Sequence, residues 1–288
     1  MSTLAVRSAE PESTLAYAAP ARILRDLWGH RDLIRQFAAR ELAMRHRGST
    51  LGRWWSVLNP LLALVAYGFL FGVVMPARWH ALGSTGEATL ATIVLNIFLG
   101  ITVYNLFAEV VIAAPSLVVA RPQLVKRVVF PIQILPVTSV IASSVYALAA
   151  IVLVILGAGA AGHVSPTLWT LPIVLVALWM LILPIAWVLA ALGVFLRDMP
   201  QIVGVIVGKF LIFTTPIFYP REAVPERFQI LIDVNPMAWI VGSARDAVLR
   251  GEMPNLTALG IIIATGAIAS CGAYALFMKA RRGFADVL

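Results

Sequence analysis

Residues 164–196, VSPTLWTLPIVLVALWMLILPIAWVLAALGVFL, form a run of 33 residues without a charged side chain. An α-helix rises about 1.5 Å per residue, so about 20 apolar residues cross a hydrocarbon layer of roughly 30 Å. Backbone N–H and C=O groups find no partners in lipid, and a helix pairs them within one segment. This stretch therefore predicts a transmembrane helix.

Five further stretches of the same character lie on either side of this one. Four of them are uncharged over 22, 21, 35 and 24 residues, and one contains a single lysine, Lys209. The fold class expected is an all-α polytopic membrane protein. We predict six transmembrane helices at about residues 54–75, 88–112, 132–160, 169–195, 199–219 and 256–278.

The composition agrees with a membrane protein. Hydrophobic residues make up 60% of the chain, charged residues make up 12%, and the mean hydropathy is +0.90. Soluble domains average about 25% charged residues. The net charge of +8 would suggest a nucleic-acid partner in a soluble protein, but in a polytopic chain it reflects topology, so no nucleic acid is expected. The single cysteine, Cys271, excludes a disulfide framework within the chain.

The basic residues fall mainly on one side of the predicted spans. With the N-terminus inside, the inner side receives sixteen Lys and Arg: nine before residue 54, three between the second and third spans, one after the fourth and three after the sixth. The outer side receives five: Arg78, Arg221, Arg227, Arg245 and Arg250. The positive-inside rule therefore predicts that both termini lie in the cytosol.

Two segments outside the spans have characters of their own. Residues 1–20 are mixed and polar, lack the continuous apolar core of a signal peptide, and are expected to form a disordered cytosolic tail. The predicted outer loop, 221–254, mixes charges with short apolar pieces and contains no run of transmembrane length. We expect short interfacial or re-entrant helices there; an ordinary extracellular loop is the alternative.

Residues 21–53 precede the first span and are rich in arginine. On a helical wheel their apolar residues favour one side, although Glu41 and Arg45 interrupt it. This pattern predicts a basic amphipathic helix in the headgroup layer of the inner leaflet, in contact with membrane lipid. A simple positively charged anchor explains much of the same composition. The residues on the apolar side are Leu33, Ile34, Phe37, Ala38 and Met44.

The junction of this segment with the first span resembles a known family. Residues 40–49, RELAMRHRGS, followed by Leu51-Gly52, Trp54-Trp55 and Leu58-Asn59-Pro60, resemble the opening of ABC-2-type permeases that export polysaccharides. That family includes exporters of O-antigen, capsule and teichoic acid. Further motifs follow in the family's order, and the resemblance covers about residues 30–282, with 54–282 as the transmembrane domain. These motifs are FLRDM at 195–199, TPIFYP at 215–220, VNPMA at 234–238 and GSARD at 242–246.

The resemblance implies a half-transporter of the bacterial inner (plasma) membrane. Two copies would pair as a homodimer and recruit two copies of a separate ATP-binding subunit. Together they would move a lipid-linked glycan from the cytosolic to the outer side. The chain itself would be no enzyme and hold no cofactor, since ATP and Mg would bind the partner subunit. Its nearest P-loop-like string, residues 204–210, has three residues between its glycines and Phe210 after the lysine, whereas a P-loop needs four and Ser or Thr.

The cytosolic loop 114–129 is the coupling segment that the resemblance places against the ATPase. A permease without an ATP site must receive work through a cytosolic contact, although the loop could also be a positively charged topology signal. The contacts implied are Ser116, Arg121, Gln123, Leu124, Lys126 and Arg127.

Two further sets of residues are candidates for substrate contact. Guanidinium groups at the cytosolic entrance suit the oxygens of a lipid diphosphate: Arg40, Arg45, Arg47 and Arg53. Aromatic faces suit passing sugars and would line a glycan channel: Trp54, Trp55, Tyr67, Phe71, Tyr104 and Phe107. The alternative for these aromatics is an interfacial belt or a lipid-facing position.

Other classes of function have less support. The four histidines are not paired at metal-ligand spacing and no acidic pair lies at a membrane boundary, so no metal site and no membrane enzyme is expected. An ATP-independent carrier would need ionisable groups near the midplane, where only Lys209 is expected. An ABC-2 exporter of a drug or peptide stays open as an alternative. The type of polysaccharide does not follow from these residues.

The predicted orientation has a direct test. In a Cys271→Ser background, cysteines at Gln123 and Gln229 should react oppositely with an impermeant thiol reagent applied from outside. Position 229 should be labelled in intact cells and position 123 only after permeabilisation. Labelling of position 123 alone in intact cells would refute the orientation.

Overall fold

The computed structural model describes residues 19–45, 54–74, 90–126, 130–160, 165–219 and 221–288, together with Thr50 and Gly162. Within these residues the chain is helical, and no strand occurs. The α-helices are α1 Pro20–Gly29, α2 Arg31–Arg45, α3 Trp55–Phe69, α4 Leu90–Ala113, α5 Ser116–Val119, α6 Pro122–Val125, α7 Leu135–Ala160, α8 Leu171–Phe195, α9 Met199–Thr214, α10 Glu226–Asp233, α11 Pro236–Arg245, α12 Leu256–Ala280 and α13 Phe284–Val287.

Four helices are long and apolar enough to cross a membrane: α4, α7, α8 and α12. Their bounds agree with the predicted spans to within three residues, and 3₁₀ turns at Ile132–Ile134 and Leu168–Thr170 lead into α7 and α8. The other two predicted spans are shorter apolar helices, Val57–Phe69 within α3 and Met199–Thr214. Among the described residues, an all-helical structure with four helices of membrane-spanning length is thus confirmed, and the count of six spans stays a prediction.

Helix α9 ends five residues before the predicted end of the fifth span. It includes a π-helical stretch, Ile206–Leu211, and finishes at Thr214. Thr215 is extended, with φ −94° and ψ 125°, because the ring of Pro216 disfavours the helical conformation for the residue before it. Residues 215–219 are uncharged, so hydropathy alone did not show that the chain reverses direction there.

Helix α8 is the centre of the bundle and packs most extensively on α12. Gly266 of α12 makes this close approach possible. A Cβ atom built on Gly266 would lie 2.4 Å from the carbonyl oxygen of Met180, so the two backbones touch where a side chain would stand. Small residues at such crossings are typical of helix packing in membranes.

The bundle has two distinct ends. At one, α1, α5, the start of α7 and the ends of α8 and α12 share an apolar cluster that includes Ile23, Val118 and Phe277. We call this the terminal end, since it holds both the first and the last helices. At the other, which we call the loop end, the hydroxyl of Ser165 donates to the carbonyl of Ala247 at 2.6 Å. The terminal end corresponds to the side predicted to be cytosolic.

The apolar side predicted for residues 21–53 contacts protein as well as solvent or lipid. Ile34 and Ala38 are 7% and 3% exposed because α2 packs on α7. The ring of Phe37 lies 5.0 Å from that of Phe130, between centroids. Met44, from the same predicted side, is 43% exposed. Helix α2 is thus docked on the bundle along part of its apolar side.

The contact at Gly266 generates a stability prediction. Gly266→Ala should lower the free energy of unfolding by about 1–3 kcal/mol, because the new methyl group overlaps the backbone of α8. Gly260→Ala on the same helix is the matched control, since no atom lies within 4 Å of its built Cβ. Thermal unfolding of the purified protein in detergent measures both. Equal melting temperatures for the two variants would contradict the close packing.

Candidate functional site

A cavity of about 590 Å³ lies between α3, α4 and α7. Its lining combines aromatic and apolar groups with a set of polar side chains. Ionisable side chains are rare inside membrane bundles, and those that occur often mark substrate or ion pathways. The polar residues of the lining are Asn59, Thr102, Asn105, Glu109, Ser143 and Tyr146.

The chemistry of this cavity suits a polyhydroxylated solute. Amide and hydroxyl groups both donate and accept hydrogen bonds, as sugar hydroxyls require of their partners. Asn105 is exposed to the cavity although most of α4 around it is buried. Trp55 and Tyr67 place aromatic rings in the same lining, on which the C–H faces of sugars can stack.

The structure divides the predicted aromatic lining into three groups. Trp55 and Tyr67 border the cavity, whereas Trp54 is 75% exposed on the outside of α3. Tyr104 and Phe107 are 1% and 4% exposed in the packed core, so neither borders the cavity, and their place in a channel stays a prediction. They are buried because α4 is surrounded by α7, α8, α9 and α11. The side chain of Phe71 lies outside the described residues.

Tyr104 instead supports the irregular part of α9. A π-helical turn shifts the backbone pairing of a helix, and such turns are frequent at functional sites. The hydroxyl of Tyr104 donates to the carbonyl of Val207 within this turn. Two residues further on, Lys209 is exposed, between the exposed side chains of Ile206 and Phe210. The only charged residue of α9 therefore points away from its own bundle.

A buried arginine holds the loop end together. Arg245 of α11 is 8% exposed, and its guanidinium donates to the carbonyls of Asn96, Pro216 and Ile217 at 3.1, 2.8 and 2.9 Å. These carbonyls belong to α4 and to the chain reversal after α9. A Cβ atom on Gly100 would lie 2.6 Å from the guanidinium, so this glycine leaves the space that the guanidinium fills.

The electrostatics of Arg245 follow from its burial. Burial lowers the pKa of Arg245 to about 10, with a smaller effect from the charge of Arg250. The guanidinium is still protonated at neutral pH, and its carbonyl partners replace water. The positive-inside count assigned Arg245 only to the outer side, and the local sequence showed no sign that its side chain is buried. The partners of Arg245 lie 28 to 149 residues away, beyond the reach of any local pattern.

The coupling segment forms two short helices at the terminal end. Helix α5 packs on α8, where a Cβ on Gly193 would lie 2.0 Å from the carbonyl oxygen of Pro115. Gln123 and Lys126 are exposed, whereas Ser116 and Leu124 are half-buried. Arg121 is also half-buried, with a nitrogen 3.9 Å from a carboxylate oxygen of Glu41. Gln123 and Lys126 are thus the predicted contacts most open to a partner, and Arg127 lies outside the described residues.

The arginines predicted at the entrance are described only in part. Arg40 is exposed on α2, and Arg45 is the last residue of that helix. The side chain of Arg45 and all of Arg47 and Arg53 lie outside the described residues. Diphosphate contact by these four residues stays a prediction.

A polar network at the terminal end was also missed by sequence analysis. Asp26 of α1 accepts hydrogen bonds from the hydroxyl of Tyr274 and, at 2.9 Å, from the side-chain amide of Gln133. Gln133 in turn accepts from Arg281 at 3.1 Å, while its backbone carbonyl accepts from the indole of Trp187 at 3.0 Å. These residues join α1 to α7, α8 and α12. Gln133, two residues after Pro131, and Asp26, in a segment rich in arginine, carry no local sequence pattern that links them.

The described residues form an all-helical structure with four helices long and apolar enough to cross a membrane. A profile of the family described as ABC-2 type transporter matches residues 32–249, and the chain belongs to this family.

Within this family, the chain is similar to several individual proteins. It is similar to two proteins of Klebsiella pneumoniae named O-antigen export system permease protein RfbA, at 27% and 28% identity over 261 residues, 89% of this chain and 95% of each relative. It is also similar to the protein of that name in Myxococcus xanthus, at 27% identity over 269 residues, 92% of this chain and 98% of the relative.

The contacts of Arg245 generate a second stability prediction. Arg245→Lys should lower the free energy of unfolding by about 2–4 kcal/mol, because one ammonium nitrogen cannot reach three separate carbonyls and hydrogen bonds of charged groups contribute about 1.5–3 kcal/mol each. Thermal unfolding in detergent is the measurement. Arg250→Lys is the control, because Arg250 is exposed and pairs with Asp246 near the surface. Its effect should be below about 0.5 kcal/mol. A similar loss in both variants would contradict the role assigned to Arg245.

Proposed function

We propose that this protein is the permease subunit of an ATP-driven ABC exporter that moves a lipid-linked polysaccharide from the cytosolic to the outer side of the bacterial inner membrane. The observation that carries the proposal is the similarity to relatives named O-antigen export permeases over about nine tenths of the chain. The match to the family model, residues 32–249, includes the segment 116–126 and Arg245 at the loop end.

The cavity between α3, α4 and α7 supports a carbohydrate as the cargo. Asn59, Asn105 and Ser143 offer hydrogen-bonding groups, and Trp55 and Tyr67 offer ring faces. A small hydrophobic drug would need few of these polar groups. This chemistry therefore favours polysaccharide over a hydrophobic drug as the cargo.

Two copies of the chain are proposed to form the passage. Helices α3 and α9 both pack on α4 and turn large apolar side chains away from the bundle, among them Val65 and Phe213, which are 63% and 67% exposed. Lys209 shares this outward side of α9, and a lysine facing lipid is costly. A second copy opposite these helices, with a wet passage between the two, would leave Lys209 in water. Lys209 would then attract the phosphates of a lipid-linked cargo.

A separate ATP-binding subunit is proposed to bind the segment 116–126, two copies to the dimer. ABC-2 permeases work with such a partner, which binds the ATP and Mg that this chain is not expected to bind. Gln123 and Lys126 offer exposed side chains for the contact. The interface would lie at the terminal end, next to α1 and α13, with both chain termini in the cytosol.

The function is tested by deleting the gene and analysing surface glycan together with lipid-linked polymer inside the cell. Loss of surface polysaccharide, accumulation of lipid-linked polymer and rescue by the wild-type gene are expected. Co-purification of the tagged protein should recover an ATP-binding subunit. Unchanged surface glycan in the deletion strain would overturn the proposal for polysaccharide export.

The same strain tests the role of Lys209. Lys209→Met should reduce export about fivefold at matched protein levels, since a cation near a bound phosphate contributes about 1 kcal/mol. Lys209→Arg keeps the charge and should retain most of the wild-type export. The comparison of the two variants separates the effect of charge from that of side-chain shape. Wild-type export by Lys209→Met would show that this residue does not act on the cargo.

A further inference from the structure

An apolar groove of about 560 Å³ separates α1 and α2 from the first turns of α7. Aliphatic side chains form most of its lining, and Arg31 and Arg35 stand in the same lining. Leu24 and Trp28 of α1 also belong to the lining and are 69% and 72% exposed. Large apolar side chains left open in this way mark an interaction surface, which in a membrane protein contacts lipid.

The groove continues onto the lipid-facing side of α7. Val137 and Ile141 belong to the groove, and Val145, Leu148 and Val152 follow at spacings of three and four residues, each more than two fifths exposed. Residues three and four apart share one side of a helix. An unbroken apolar track therefore runs from the groove at the terminal end toward the middle of the bundle.

The polar cavity uses the opposite side of the same helix. Ser143, Tyr146, Ala147 and Ala150 line that cavity. At 3.6 residues per turn they lie across the helix axis from the track. Helix α7 thus separates a polar interior from an apolar exterior, and the groove belongs to the exterior.

Two guanidinium groups mark one end of the track. Arg31 donates to the carbonyl of Trp28 at 3.2 Å and lies over its ring, 5.5 Å from the centroid, which limits its conformations. Arg35 is one helical turn further on and also exposed. Side chains so spaced are about 5–6 Å apart at Cβ, close enough to share one phosphate group. The nearest carboxylate in sequence, Asp32, is exposed on α2, and Asp26 is hydrogen-bonded to Gln133 and Tyr274.

We propose that this groove binds one anionic membrane phospholipid per protomer. Its phosphate lies between Arg31 and Arg35, and an acyl chain follows the groove onto the exposed track of α7. Charge and shape both fit this occupant, because a basic site at the end of an apolar track matches a negative headgroup above a hydrocarbon chain. The lipid would hold α1 and α2 against α7. Since the groove faces away from the polar cavity, this inference does not depend on what the protein exports.

The test measures lipid retention by the purified full-length protein. Detergent-solubilised protein is titrated with phosphatidylglycerol or phosphatidylcholine, and bound lipid is counted by native mass spectrometry. One phosphatidylglycerol per protomer should persist, with phosphatidylcholine lost. The double variant Arg31→Gln/Arg35→Gln should need at least about tenfold more phosphatidylglycerol to reach the same occupancy. This is the loss of affinity expected when one hydrogen bond of a charged group is removed. Ala39→Trp, which fills the groove from an exposed position without changing charge, should have the same effect.

The control removes an equal charge from the same end of the molecule. Lys279→Gln/Arg282→Gln lies outside the groove, and both side chains are exposed, so this variant should retain phosphatidylglycerol like the wild type. Equal loss in the control would show general charge attraction and overturn the site, as would unchanged retention in the Arg31/Arg35 variant. A polyprenyl diphosphate that displaces phosphatidylglycerol at equal concentration would assign the groove to the cargo and overturn the phospholipid. If Ala39→Trp does not fold, the arginine pair and its control decide.

Discussion

The hydrocarbon of a bilayer offers no hydrogen-bond partner, so each departure from regular helix inside this bundle needs a donor or acceptor from the protein itself. In the π turn of α9, the carbonyl of Val207 accepts a hydrogen bond from the hydroxyl of Tyr104. The chain reversal that follows α9 receives the guanidinium of Arg245. Before α7, the indole of Trp187 donates to the carbonyl of Gln133. In each irregular segment, a polar side chain from a helix distant in sequence supplies the hydrogen bond that the regular helix would have provided.

Most of the helical framework could be predicted from sequence because span length and charge distribution depend on local composition alone. The ends of α7, α8 and α12 fall close to their predicted positions for this reason. Arg245 could not be placed in that way. Its nearest neighbours in sequence suggest a short loop helix, and only the folded chain brings the carbonyls of α4 and of the reversal after α9 around it. A count of basic residues treats every arginine alike, whether water or backbone surrounds it.

The candidate cavity was harder to predict for a different reason. A helix that is apolar on all sides has almost no amphipathic pattern, so sequence does not say which side meets lipid and which meets protein. On α7 the contrast is between Ser143 and Tyr146 toward the cavity and Val145 and Leu148 toward the outside. These residues alternate within six positions. Aromatic type alone was an insufficient guide, since Tyr67 borders the cavity and Tyr104 is buried in the core.

The contact between Gly193 and Pro115 has a mechanical consequence. A methyl group on Gly193 would overlap the carbonyl oxygen of Pro115, so main chain rests directly on main chain there. Side chains can change rotamer and absorb a small displacement, whereas close-packed backbone has little room to yield. The turn before α5 therefore makes a rigid backbone contact with the end of α8. A force applied to this contact is transmitted along the axis of α8, which is the stiffest direction of the bundle.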